Sequence, residues 1–128
     1  MSAASPLVAC WLDSNIGVTD AYPELKQRFS GVSERIEKWY YFDSGDEFNR
    51  FIDENPNITL VTIMSGHLAK TLVTAVSDRT SLHSVYIFCG NTEKYQSLLL
   101  NEHKVKGVFN FEDDLYRKMY SDLHQEFP

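Results

Sequence analysis

The tightest constraint on this chain is the run from Ile58 to Met64, β-branched and apolar nearly throughout, held between Asn55-Pro56-Asn57 and Ser65-Gly66. Pro56 stops the element before the run, and Gly66 punctuates the chain after it. The run has no polar–apolar alternation, so it cannot show one face to water. It suits a central strand covered on both faces, the condition of a strand in a parallel sheet. A chain built around such a strand needs helices on two sides.

The rest of the sequence supplies them. Leu7 to Leu12 reads as a first buried strand ending at Asp13, and Ser14-Asn15-Ile16-Gly17 as a loop. Tyr22, Leu25, Phe29, Val32 and Ile36 recur at three- and four-residue steps, one apolar stripe of an amphipathic helix. Asp20 is placed to cap it, Pro23 fits its first turn, and Gly31 disturbs its end. Trp39 to Phe42 is a short aromatic strand. Asp46 is placed to cap the next helix, whose buried face is Phe48, Phe51 and Ile52. After the central strand, a third helix carries Leu68, Leu72, Val73 and Val76. Ser84 to Cys89 is a further buried strand closed by Gly90, and Asn91 or Thr92 caps a helix with Tyr95, Leu98 and Leu99. Gly107 to Phe111 is a fifth strand. Leu115, Met119, Leu123 and Phe127 mark a last helix at four-residue steps, opened by Glu112, Asp113 and Asp114, which favour its dipole.

A β-α unit repeated five times predicts parallel strands joined by right-handed crossovers. The expectation is a three-layer αβα domain over residues 1–128, with a five-stranded parallel sheet in the flavodoxin-like order 2-1-3-4-5. In that order the strands bearing Cys10 and Cys89 lie about 9–10 Å apart, two strand spacings, too far for a disulfide. Two buried free thiols suit a reducing, cytoplasmic setting.

Composition narrows the function. Apolar residues make up 43% of the 128 and aromatic residues 13%, enough to build a packed core. The formal net charge of −6 speaks against a nucleic-acid or anionic-membrane surface, and Lys104 with Lys106 make no phosphate-tracking patch. The apolar runs are strand-length, so no membrane span is expected. Met1 to Pro6 lacks the basic region and apolar core of a secretory signal.

Ligands of an open α/β sheet gather beyond the carboxyl ends of its strands, near the switch in strand order. Here that brings Asp13, Ser14 and Asn15 opposite Ser65, Gly66 and His67. Free amides at the start of the third helix could hold a small anion or nucleotide there, with Gly66 permitting close approach. Ordinary packing explains the same residues: a cap, a tight turn and a solvated strand end. Ser65-Gly66-His67 is neither a Walker loop nor a dinucleotide fingerprint, and Ile63 stands where a nucleophile elbow needs glycine. His67, His83, His103 and His124 lie in separate elements without ligand spacing, so no metal site is expected. Asp43, Asp46 and Glu47 are read as helix-start acids. No catalytic set is complete and no cofactor is implied. An aromatic contact surface is the other candidate: Tyr116, Tyr120, Leu123 and Phe127, with Tyr95 on the preceding helix.

Val8-Ala9-Cys10-Trp11-Leu12-Asp13, then Ser14-Asn15, resembles the first strand and acidic loop of response-regulator receiver domains, and the five β-α units match across nearly the whole chain. The resemblance stops at the chemistry. Receivers hold Mg²⁺ with clustered carboxylates and phosphorylate an aspartate at the end of strand 3. This chain has one acid, Asp13, after strand 1 and Ser65 after strand 3. Cys89-Gly90 stands where receivers place a hydroxyl residue, and Asn110 or Phe111 where they place a lysine. Trp11 to Asp13, Ile63 to Leu68, Val85 to Asn91 and Lys104 to Phe109 together are similar to the receiver-like N-terminal domains of invertebrate proteins that continue into an ADP-ribosyltransferase domain or tetratricopeptide repeats. That resemblance implies an accessory module. Toll/interleukin-receptor-like domains share the layout, and their enzymatic members cleave NAD with a helix-borne glutamate. Glu47, Glu54 and Glu93 are the glutamates near the middle of the chain, and the family's first-strand motif is absent.

The reading favoured by these residues is a non-catalytic, receiver-like interaction or signalling module, binding a protein partner or a second copy. The alternative is a nucleotide-binding or NAD-processing domain of the Toll/interleukin-receptor-like kind.

Overall fold

A computed structural model of the protein describes residues 5–14 and 22–128, the side chains of 98–100 excepted. The chain forms β1 (Leu7–Leu12), α1 (Pro23–Ser30), β2 (Lys38–Phe42), α2 (Gly45–Glu54), β3 (Thr59–Ser65), α3 (Gly66–Val76), β4 (Leu82–Phe88), α4 (Thr92–Asn101), β5 (Val105–Phe109) and α5 (Glu112–Glu126). All registered strand pairs are parallel, in the order β2-β1-β3-β4-β5. This is the flavodoxin-like α/β arrangement that the alternation of strand and helix predicts.

Both faces of the sheet are covered. On one, Cys10, Leu12, Leu60, Met64 and Ile87 meet Phe48 and Ile52 of α2, Leu72 and Val73 of α3 and Tyr95 of α4. On the other, Trp11, Val61, Ile63 and Tyr86 meet Phe29 of α1 and Leu115, Met119 and Leu123 of α5. Each large apolar side chain withdrawn from water contributes roughly 1.5–3 kcal/mol, so the two-sided core is the principal source of stability. β1 is buried at every position and β3 at five of seven, which explains their unbroken apolar runs. Cys10 and Cys89 are free, as their separation across β3 requires. Among the described residues no helix is long and apolar enough to cross a membrane.

Four local expectations are corrected. α1 ends at Ser30, with Gly31 at its C-cap, so Val32 and Ile36 lie beyond the helix. Val32 is nevertheless fully buried, which is why the apolar stripe runs past the helix end. Ser44, not Asp46, caps α2, its Oγ accepting from the Glu47 amide at 3.3 Å. A short hydroxyl on an extended residue can turn back to the first free amides, whereas Asp46 already sits inside the first turn. β5 begins at Val105, two residues before Gly107, and Phe111 belongs to the start of α5. Gly107 does not open the strand. It lies within it, with the Phe109 ring folded over the space its missing side chain leaves. Asn91 caps α4 as expected, its Oδ1 accepting from the Lys94 amide at 3.4 Å. The N-cap position of α1 is held by Tyr22, with no side-chain capping bond, and not by the expected Asp20. Asp20 itself, the loop residues Asn15, Ile16 and Gly17, and the side chains of Leu98 and Leu99 lie outside the described residues.

Candidate functional site

The strand-end residues come together as the strand order predicts. β1 pairs with β3 as far as Leu12 and Met64, so Asp13 and Ser65 stand side by side one step further on. Asp13 is half-buried, and its amide donates to the Phe42 carbonyl at 3.1 Å, fastening the end of β1 to β2. Ser14 beside it is exposed, and Asn15 lies outside the described residues. Ser65 takes the N-cap position of α3 in extended conformation (φ −65°, ψ 151°), but its hydroxyl makes no capping bond. His67, one residue into the helix, is exposed.

Gly66 is buried, and the reason is a neighbour. A Cβ placed on it would stand 2.3 Å from Cε2 and 2.6 Å from Cδ2 of Tyr95. The Tyr95 ring, 8% exposed, therefore occupies the side of Gly66 from which close approach would otherwise be open. Tyr95 belongs to this contact, and its accessible part is correspondingly small. Lys94 sits with its ammonium 5.6 Å from the Tyr95 ring centroid.

Neither cysteine is poised for chemistry. Cys10 is wholly buried and hydrogen-bonded to the Thr62 hydroxyl, and burial pushes its thiol up to about 12. Cys89 is half-buried, donates to the Asn91 carbonyl at 3.5 Å, and is also raised by burial. A nucleophilic thiol requires the opposite shift. Among the described residues no three His, Cys, Asp or Glu side chains gather closely enough to hold a metal ion.

The second candidate region is α5. Tyr116 and Tyr120 stack with centroids 6.3 Å apart and planes 23° apart, and Tyr120 stacks on His124 at 4.0 Å and 27°. Residues four apart share a helix face, which aligns the three rings. The ladder is rooted in the core: Trp11 meets Phe29 edge-on at 5.0 Å, and Phe29 meets Tyr116 edge-on at 5.3 Å. It is also held from α1, because the Arg28 guanidinium lies 4.6 Å from the Tyr116 centroid and reaches Glu112 at 2.5 Å and Asp113 at 2.6 Å. Tyr120 is 49% exposed, whereas Leu123 is 1% exposed and belongs to the core. Phe127 is half-buried against the His83 ring at 5.0 Å, and the same histidine meets Glu126 at 3.0 Å. Beside Tyr120, His124 and Phe127 lies a concavity of about 500 Å³, closed on the other side by Gly31, Ser33 and Arg35.

The accessible part of the predicted face is therefore Tyr116 and Tyr120, joined by Arg28 and His124, which sequence reasoning did not select. His124 was visible as the next step of the four-residue spacing. Arg28 carried no sequence signal, since it meets Glu112 across 84 residues of chain. Compared with family models, with curated proteins and with solved structures, the chain matches none.

Proposed function

We propose that this domain is a non-catalytic, receiver-like module that acts through protein contact, using the Tyr116–Tyr120–His124 face of α5. The observation that carries the reading is the exposed Tyr120 ring, stacked between two neighbours and braced through Tyr116 onto the core. An aromatic ring already fixed in place loses little freedom on binding, and tyrosine offers both apolar area and a hydroxyl at a wet interface. Around it, Arg28, Glu112 and Asp113 supply a charged rim.

The strand ends support the same reading. Phosphoryl transfer to a carboxylate needs an acceptor aspartate with further carboxylates around a divalent ion. Ser65 stands where β3 would have to present that acceptor, and the Tyr95 ring lies against Gly66 beside it. The test uses the purified domain as bait in a cytosolic extract, with Tyr120→Ala as the paired control. Retention of a partner by the parent, lost in a variant with an unchanged thermal transition, supports the module. Turnover of ATP or NAD by the purified protein, abolished by Asp13→Ala or Ser65→Ala, overturns it.

A further inference from the structure

β2 is an edge of the sheet, and its sequence is unusual for one. Lys38-Trp39-Tyr40-Tyr41-Phe42 places four aromatic residues in succession on a strand that, among the described residues, has a partner on one side only. Edges are ordinarily blunted by charge, proline or a bulge. The single charge within β2 is Lys38, and its ammonium lies over the strand's own Tyr40 ring, 4.9 Å from the centroid. The opposite edge, β5, carries Lys106 and Gly107 in mid-strand, both unfavourable for further pairing. Phe42 turns its carbonyl toward β1, where it accepts from Asp13 at 3.1 Å. Alternation along the strand therefore turns the backbone N–H and C=O groups of Trp39 and Tyr41 to the open edge.

We propose that β2 pairs antiparallel with β2 of a second copy about a two-fold axis, joining the two sheets edge to edge. Such an axis stands perpendicular to the sheet and maps each face onto itself, so opposed residues must lie on the same face. With Tyr40 on the axis, all residues of both strands pair. Trp39 then stands opposite the second copy's Tyr41, and the two exchange both backbone hydrogen bonds, once on each side of the axis. On one face the stacked Trp39 and Tyr41 rings, 6.4 Å apart in each copy, continue across the junction. On the other, Lys38 stands opposite the second copy's Phe42.

Charge complementarity selects this occupant. Beside Phe42 is a concavity of about 280 Å³ lined by Glu47, Arg50, Phe51 and Glu54. The second copy's Lys38, swung off its own Tyr40 ring, arrives next to it with an apolar stem for Phe42 and Phe51 and an ammonium for Glu47 and Glu54, which outnumber the one cation there, Arg50. The symmetry makes the contact twice. A generic extended peptide would satisfy the edge amides but would not supply this lysine in this register. Glu37 and the second copy's Asp43 meet as like charges just beyond the paired strands, so the association is weak and concentration-dependent.

The test is sedimentation velocity of the full chain from about 1 μM to about 1 mM, a range that covers weak to moderate affinities. A reversible dimer is expected. Tyr41→Pro removes an edge-facing donor without touching the β1 ladder, and is expected to weaken association at least tenfold, on the order of 1.4 kcal/mol or more. Lys38→Glu is expected to do the same, and Lys38→Glu combined with Glu47→Lys to restore it. Should Tyr41→Pro fail to fold, the charge exchange reads the contact alone. Tyr120→Ala is expected to leave the dimer intact, which separates this edge from the α5 face. A monomer throughout the range overturns the proposal. So does a dimer indifferent to the β2 substitutions, or one dissolved by Tyr120→Ala.

Discussion

The ring of Tyr95 on α4 fills the space that any side chain at Gly66 would need, with its Cε2 2.3 Å from where a Cβ would stand. This contact ties the first residue of α3 to α4 at the carboxyl end of the sheet. Gly66 is thus a packing residue whose small size lets an aromatic ring close over the start of a helix.

Gly66→Ala tests that account because two effects of opposite sign compete. Replacing glycine by alanine in a helix gains up to about 1 kcal/mol of intrinsic propensity, and less at its first turn. Against it, a Cβ at under 3 Å from a ring that is 8% exposed forces Tyr95 or α4 to move. Overpacking of this kind costs about 1–3 kcal/mol, so net destabilisation is expected. Urea denaturation should show a lower midpoint at unchanged slope. Combining it with Tyr95→Leu should recover part of the loss, since the ring that blocks the methyl is gone. A stabilised Gly66→Ala would contradict the contact.

Tyr120→Ala separates surface from core. Tyr120 is 49% exposed, and Tyr116 beside it keeps its own contacts to Phe29 and Arg28. Stability is expected to change by about 0.5 kcal/mol or less, as for most surface substitutions. Partner retention is expected to disappear. A large fall in melting temperature would instead give Tyr120 a structural role.

How far these features were legible in the sequence depends on how local their causes are. β1 and β3 were legible because burial on both faces leaves unbroken apolar runs. The strand order came from the alternation of elements, and Asp13 beside Ser65 came from the strand order. The hidden features were tertiary. The Gly66–Tyr95 contact joins residues on different helices, and neither residue type announces the other. Leu123 and Tyr120 both belong to α5, yet one is core and the other surface. The difference is the angular position that α5 adopts when Leu115, Met119 and Leu123 dock on the sheet. The sequence places β5 two residues late because a glycine ordinarily punctuates a strand. Here Phe109, two residues on, covers Gly107 and keeps the strand intact.

Tyr86 and Asp122 anchor α5 on β4 through a hydrogen bond of 2.8 Å, and Lys118 holds the other carboxylate oxygen at 3.0 Å. Tyr86 is 1% exposed, and its phenol is raised by burial first and by the Asp122 carboxylate second. Tyr86→Phe keeps the ring and removes the donor. Asp122 retains Lys118 and some water, so the expected cost is about 1–2 kcal/mol, toward the lower end for a bond to a charged group. The measurement is the denaturation midpoint, with Lys118→Ala expected to cost less because that amine is largely exposed.

Cys10 gives the fold an alkaline limit. Its thiol is raised from 9.0 to about 12, chiefly by complete burial, while its hydrogen bond with Thr62 pulls the other way. In the unfolded chain the thiol loses its proton near pH 9, whereas in the fold it keeps the proton until about 12. Between those values the folded state binds more protons than the unfolded one, so stability falls as pH rises. The contribution is whole below about pH 9 and is lost progressively toward pH 12. About three pH units at about 1.4 kcal/mol each set an upper bound of about 4 kcal/mol. Cys10→Ser keeps a hydroxyl for Thr62 and removes the titrating group. Its stability between pH 9 and 10 should decline less steeply than the parent's, the remaining slope coming from Cys89, which burial also raises. Above pH 10 both proteins should fall, because Tyr86 is also raised and its unfolded form begins to ionise there. Urea midpoints at pH 7, 9 and 10 decide the matter, and a parent as stable at pH 10 as at pH 7 would show that Cys10 is not sealed from water.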